Sequence, residues 1–310
     1  MSGTNPLATG IAGVRMESPL VLASGILGVT AATLGMAADA GAAAVTVKTC
    51  GMVPRKGHPG PAILPLQHGM LNAVGLSNPG VDAVAEEIRE FRRIRRCPVF
   101  ASIFGRTVPE FGEVAAHIAR CDPDLIEVNV SCPNVESEFG LPFGADLESV
   151  AAITRIVKTA AGSIPVSVKL TIHCPSIARM AKVAEANGAD AVTAINTVGP
   201  GMLIDVGCGR PVLSNLEGGL SGPAILPLAV RAVYRIREAV SIPIIGTGGV
   251  ASAEDALQLI MAGATAVAVG TAIHREGVGV FGRIRQGLLD HLAEQGRDSI
   301  DAIRGCAHAR

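Results

Sequence analysis

The chain has 310 residues, 49% apolar and 17% charged, which is enough apolar side chain for a large core and too much for a disordered chain. A formal net charge of −1 gives no electrostatic reason to bind nucleic acid or an anionic membrane. No apolar stretch approaches the roughly 20 residues of a membrane span, and the N-terminus lacks the basic flank and apolar core of a signal peptide, so a cytoplasmic protein is expected.

In chain order, apolar runs that read as buried strands cover 20–22, 44–47, 99–103, 125–128, 166–170, 191–195, 242–245 and 266–269. The patterns between them predict helices over 31–40, 81–92, 108–120, 147–161, 176–186, 224–239 and 252–262. One more helix, over 278–295, follows the last strand. Three junctions share one pattern: Gly41-Ala-Ala-Ala-Val, Gly188-Ala-Asp-Ala-Val and Gly263-Ala-Thr-Ala-Val. The glycine suits the left-handed position that closes a helix, and the run after it suits a parallel strand. Asn187 strengthens one of these stops. Ser252-Ala-Glu-Asp opens a helix like a capping box, with Asp where Glu is more usual. The basic run Arg92, Arg93, Arg95, Arg96 reads as the solvated end of a helix. Eight alternating units predict an α/β fold, a closed (β/α)8 TIM barrel forming a single domain over 1–310. An open doubly wound sheet is the alternative, since alternation does not require closure.

Barrel enzymes work at the C-terminal ends of their strands. Here those ends read Ser24-Gly25, Lys48-Thr49, Ser102, Asn129, Lys169, Asn196-Thr197, Gly246-Thr-Gly-Gly249 and Gly270-Thr271, every one polar or glycine. Two are lysines continuing apolar strands, a costly place for charge unless it is paired or faces an anion. Gly248-Gly249 and Gly270-Thr271 suit a phosphate, which barrels often hold after strands seven and eight. Neither a P-loop nor a strict dinucleotide-binding glycine motif occurs. Three loops at this end, 49–80, 130–146 and 197–222, are long for their place and predict lids or walls.

The seven cysteines are scattered without a C-x-x-C pair, which argues against a metal or iron–sulfur site and suits free thiols. Most free cysteines are small apolar filler. Position singles out Cys132, in Asn129-Val-Ser-Cys-Pro-Asn134. Pro133 stops the strand and leaves the thiol on a loop among carboxamides, where acid–base or nucleophilic work is possible.

With these residues the chain resembles the dihydroorotate dehydrogenases of the cytosolic class 1 type, from about Leu20 to the final helix. The strand-end residues above carry the likeness, together with Asn72-Ala-Val-Gly-Leu76, Gly219-Leu-Ser-Gly222 and Thr247-Gly-Gly-Val250. Asn72-Ala-Val-Gly-Leu and Gly218-Gly-Leu-Ser-Gly favour subclass 1B, whose catalytic chain pairs with a second chain. Cysteine at 132, where the membrane-associated class 2 carries serine, excludes that class. The resemblance implies FMN in the barrel mouth and oxidation of (S)-dihydroorotate to orotate, a step of pyrimidine synthesis. Cys132 would remove the C5 proton while the C6 hydride passes to the flavin. Ser24, Lys48, Thr49, Asn129, Lys169 and Ile195 would contact the cofactor. Gly222, Gly248, Gly249, Gly270 and Thr271 would cradle its phosphate. Lys48, Asn72, Ala73, Val74, Gly75 and Leu76 would meet the substrate, with Asn129, Asn134, Asn196 and Thr197. No metal is expected. A homodimer is expected, extended by an FAD and iron–sulfur subunit.

Two departures stand out: Ser102 where the family would place Asn near the flavin, and the segment 135–144 in place of a shorter glycine-rich lid. The electron acceptor is left open: NAD through a partner, fumarate or another. Two other readings compete. One is a related flavin-dependent barrel acting on a different pyrimidine or a tRNA uracil, the latter disfavoured by the charge; the other is a non-catalytic phosphate-binding barrel.

Overall fold

The computed structural model of the chain describes residues 5–130 and 143–309. Eight parallel strands form a closed barrel: β1 Leu20–Leu22, β2 Ala44–Thr46, β3 Val99–Ile103, β4 Leu125–Asn129, β5 Val166–Leu170, β6 Ala191–Ala194, β7 Ile244–Thr247 and β8 Ala266–Val269. They pair in sequence order, and β8 returns to β1 through Val269 opposite Leu22, so the open sheet is excluded. Nearly all their residues are buried, because one face looks into the barrel and the other is covered by helices. The seventh strand lies two residues later than expected. Pro243 has no N–H for the ladder, although its carbonyl accepts from Val192 N at 3.1 Å, and Gly246 and Thr247 take up the pairing instead.

The helices are α1 Ala31–Asp39, α2 Val81–Ile94, α3 Val108–Ala119, α4 Leu147–Ala161, α5 Ile177–Ala186, α6 Leu226–Arg237, α7 Ala253–Met261, α8 Thr271–Glu276 and α9 Val280–Glu294. α8 was not among the expected elements. The residue before α7 forms the capping box: Ser252 Oγ accepts from Asp255 N at 3.2 Å, and Asp255 Oδ2 accepts from Ser252 N at 2.8 Å. Gly41, Gly188 and Gly263, at the helix-to-strand junctions, have φ of +110°, +97° and +118°. The basic run lies at the solvated end of α2, with Arg92, Arg93 and Arg96 exposed and Arg95 half-buried. Arg92 meets Asp124 at 3.0 Å and Asp122 at 3.3 Å, and Arg95 meets Asp39 at 2.6 Å, because the carboxylates of neighbouring junctions lie within reach of the end of α2.

A hairpin of Thr9–Ile11 and Val14–Met16 closes the N-terminal end of the barrel. Ile11 and Met16 pack there against Val21, Phe100, Leu125 and Ile245. Burying such a side chain contributes about 1.5–3 kcal/mol. The opposite end carries the loops, and two of the three long ones contain a shared antiparallel sheet. Its order is Val198–Gly201, Gly218–Ser221, Gly69–Asn72, Ile63–Leu66, with Gly219 opposite Asn72. The third loop falls largely on 131–142, outside the described residues. No helix among the described residues is long and apolar enough to cross a membrane.

Candidate active site

The C-terminal ends of the strands and the loop sheet enclose a cavity of about 580 Å³, within the range of small-molecule sites. The strand-end residues singled out from the sequence line it, except Gly246 and Ser102; Cys132 and Asn134 lie outside the described residues.

One wall of the cavity is ionic. Lys48 follows β2, and Lys169 lies on β5 opposite Asn129 of β4. Lys169 Nζ donates to Glu127 Oε1 at 3.4 Å, with both side chains under a tenth exposed. Among the described residues no carboxylate oxygen lies within 4.0 Å of Lys48 Nζ. Burial, and then the charge of Lys169, hold the Lys48 ammonium below the usual lysine range.

Ser102 does not reach the cavity. It is fully buried, with its Oγ 2.8 Å from Thr49 Oγ1 and 3.1 Å from Glu127 Oε1. Thr49 Oγ1 in turn lies 3.0 Å from Ser24 Oγ, and Ser24 lines the cavity. The serine therefore joins two strand ends beneath the site, where no ligand contact is open to it.

Carboxamides form a second wall. Asn196 Nδ2 lies 3.4 Å from Asn129 Oδ1, Asn196 Oδ1 accepts from Thr197 N at 2.8 Å, and Asn72 Nδ2 donates to Gly219 O at 3.3 Å. Side-chain amides offer donors and acceptors together, which suits a small ring bearing both. Ala73, Val74, Gly75 and Leu76 continue this wall, and Ile195 is buried behind it.

The third wall is glycine-rich. Gly222, Gly248 and Gly249 have φ of +89°, +117° and +87°. A Cβ on Gly249 would lie 2.6–2.7 Å from Leu226, so the chain can pass the start of α6 only as glycine. Thr271 Oγ1 donates to Ser221 Oγ at 2.8 Å, tying the end of β8 to the loop sheet beside Gly270.

Sequence reasoning missed two histidines in the lining. His173 Nε2 accepts from Gly199 N at 2.9 Å, which places the proton of the neutral ring on Nδ1. His58 Nδ1 donates to Ala73 O at 3.0 Å. His173 stands just past β5, so a look three residues beyond each strand end would have found it. His58 lies mid-loop and gives no such signal. The paired carboxylate of Glu127 was missed as well. Two of the other thiols are poorly suited to chemistry: burial pushes Cys50 and Cys97 each up to about 12.

The family model described as dihydroorotate dehydrogenase matches residues 6–292. Relatives named dihydroorotate dehydrogenase B (NAD(+)), catalytic subunit, align over nearly the whole chain. The one from Methanosarcina mazei is 45% identical over 299 residues, 96% of this chain and 94% of its own length. That from Methanothermobacter thermautotrophicus is 41% identical over 302 residues, 97% of this chain and 98% of its own. That from Pyrococcus horikoshii is 41% identical over 295 residues, 95% of each. With the barrel closed and its polar strand ends gathered in one cavity, the chain belongs to the dihydroorotate dehydrogenase family and is an oxidoreductase.

Proposed function

We propose that the chain oxidises (S)-dihydroorotate to orotate in pyrimidine synthesis, with FMN held in the cavity described above. The observation that carries this reading is the convergence of two lysines, a carboxamide wall and a glycine wall on one cavity. The donor set fits the cofactor: Gly222, Gly248, Gly249, Gly270 and Thr271 suit its phosphate, and Ser24, Lys48, Thr49, Asn129, Lys169 and Ile195 its ring. FMN, when bound, supplies the acceptor for the C6 hydride. The protein's own part is to orient the ring and move one proton. Asn72, Asn129, Asn196 and Thr197 bind the pyrimidine and its carboxylate, with Lys48 and the Ala73–Leu76 backbone beside them. Asn134 belongs to the same set but lies outside the described residues, as does Cys132. Cys132 as thiolate takes the C5 proton, and the C5–C6 double bond forms as that proton and the hydride leave. Only the thiolate can serve, so its pKa must fall from near 8.5 for function at neutral pH.

The reading extends to assembly and place. The chain forms a homodimer and passes electrons to a second subunit; the relatives' designation as catalytic subunits supports the second subunit. It works in the cytoplasm, where its free thiols stay reduced. The test is direct. Heat release should yield FMN, and anaerobic dihydroorotate should bleach the flavin in a stopped-flow trace. Colourless protein, FAD, or a flavin that dihydroorotate does not reduce would overturn the reading. The chain has no Trp and one Tyr, so a bound flavin dominates its near-ultraviolet and visible spectrum.

A further inference from the structure

Glu127 and Asn129 stand two apart on β4, so both side chains face the barrel interior, Glu127 one layer below the cavity. The Glu127 carboxylate accepts from Lys169 Nζ and from Ser102 Oγ, which comes from the residue opposite it on β3. An ionised carboxylate only accepts, so the single hydroxyl proton of Ser102 points at Glu127. Ser102 must then accept from Thr49 Oγ1, while the Ser24 hydroxyl donates to Val47 O at 2.9 Å. The hydroxyls of two strand ends are thus ordered toward one buried carboxylate, and such networks hold their members in one arrangement.

The anion has a consequence for the cavity. Lys48 and Lys169 are close enough for the charge of Lys169 to depress the ammonium of Lys48. Two lysines with no carboxylate would repel each other in a site of low dielectric, and one would tend to shed its proton. The Glu127 carboxylate opposes one of the two ammonium charges and leaves one positive charge in excess at the cavity wall.

We propose that Glu127 is the positioning residue that aims Lys169 and fixes the charge presented to the bound flavin, and so sets the flavin's reduction potential. The proposal rests on the FMN reading above. A flavin that takes up two electrons and one proton gains one negative charge, so an excess positive charge nearby favours the reduced form. Removing the negative charge of Glu127 should favour it further.

The experiment is a reductive titration of the FMN-loaded protein against a reference dye, together with the dissociation constant of oxidised FMN. Glu127→Gln, titrated near pH 6, should favour reduced over oxidised FMN by about tenfold, a rise of about 30 mV for a two-electron couple. Glu127→Asp keeps the charge and should stay within about twofold of the parent on the same scale. A purely structural glutamate would lower the melting temperature and leave the potential in place. An unshifted potential in Glu127→Gln, or an equal shift in Glu127→Asp, overturns the proposal. If Glu127→Gln does not fold, Lys169→Met is compared with Glu127→Gln/Lys169→Met near pH 8. The double variant should have the higher potential, and equal potentials overturn the proposal. A parent protein that binds no FMN sinks the underlying reading and the proposal with it. A parent that binds FMN beside an unshifted Glu127→Gln sinks the proposal alone.

Discussion

The two ends of the barrel share eight strands and differ in what those strands turn inward. On β4 the inward residues run Leu125, Glu127, Asn129; on β3 they run Phe100 then Ser102, and on β6 Ala191 then Thr193. The first layer packs dry against Ile11 and Met16 of the closing hairpin. The next is a hydrogen-bonded layer, with Ser167 and Thr193 2.9 Å apart and Glu127 held by Ser102 and Lys169. The last opens on the cavity. Layers of inward side chains are how such barrels fill their interior. Stability is concentrated in the first layer and chemistry in the last, with the middle layer holding charges in place for the cavity. Substitutions at the two ends should therefore fail in different assays.

The largest effect is expected at Cys132. Cys132→Ala should keep its flavin colour and bind orotate, since those contacts come from other residues. It should lose flavin reduction by dihydroorotate by roughly 10²–10⁴-fold. Cys132→Ser should keep a remnant that rises with pH, because a hydroxyl is a far weaker acid than a thiol. Cys50→Ala, Cys174→Ala and Cys208→Ala should leave the rate largely intact. Stopped-flow reduction isolates this half-reaction from the electron acceptor. An alanine variant as fast as the parent places the base elsewhere.

At the closed end the opposite is expected. Phe100 is 1% exposed within the first layer. Phe100→Ala should lower unfolding free energy by about 3–5 kcal/mol in denaturant titrations, while the folded fraction reduces its flavin at the parent rate. A rate loss without a stability loss would mean the two ends are not separable.

All eight strands were legible because their outward faces are apolar and their inward faces are mostly small or apolar, leaving short continuous runs. That same continuity hid the middle layer. Glu127 sits inside the run Leu125-Ile-Glu-Val, and its partner Lys169 is 42 residues away. Sequence shows that a buried lysine needs a partner, and cross-strand register decides which. The strand ends were legible as polar or glycine, and they do converge on one cavity. Ser102 was misjudged as a mouth residue because polarity at a strand end does not say whether the side chain lies above or below the rim. The loop sheet was not legible at all. Gly69–Asn72 and Gly218–Ser221 are poor in β-branched residues and are strands because they pair with each other across the mouth. No local preference announces that.

Lys48 offers a subtler break between the two ends. Burial and Lys169 lower its pKa, so between that value and 10.5 the unfolded chain binds more protons than the folded one. Its charge therefore costs stability at neutral pH, and that cost fades as the pH rises toward 10.5. Lys48→Met should melt higher than the parent near pH 7, by a margin that shrinks in alkaline buffer. The same variant should bind FMN or orotate about 10–100-fold more weakly, the scale of a lost charged hydrogen bond. Lower melting in Lys48→Met would show that the lysine supports the fold as well as the site.

The smallest expected effect lies where the chain re-enters the described structure after 131–142. Asp146 caps α4, accepting from Ser149 N at 2.8 Å. Partial burial raises its carboxyl pKa, but hydrogen bonds from Ser149 and Glu148 outweigh this and hold it below 3.8. A carboxyl depressed in the fold contributes stability above its unfolded value and loses it as the pH falls through the folded one. Asp146→Ala should cost about 1 kcal/mol near pH 6, and parent and variant should converge in melting temperature below 3.8. The cap belongs to the scaffold, so flavin reduction by dihydroorotate should stay within about twofold of the parent. A larger fall in rate at unchanged FMN affinity would mean that the first turn of α4 anchors the segment bearing Cys132. The division between stabilising and reacting ends would then fail at this helix.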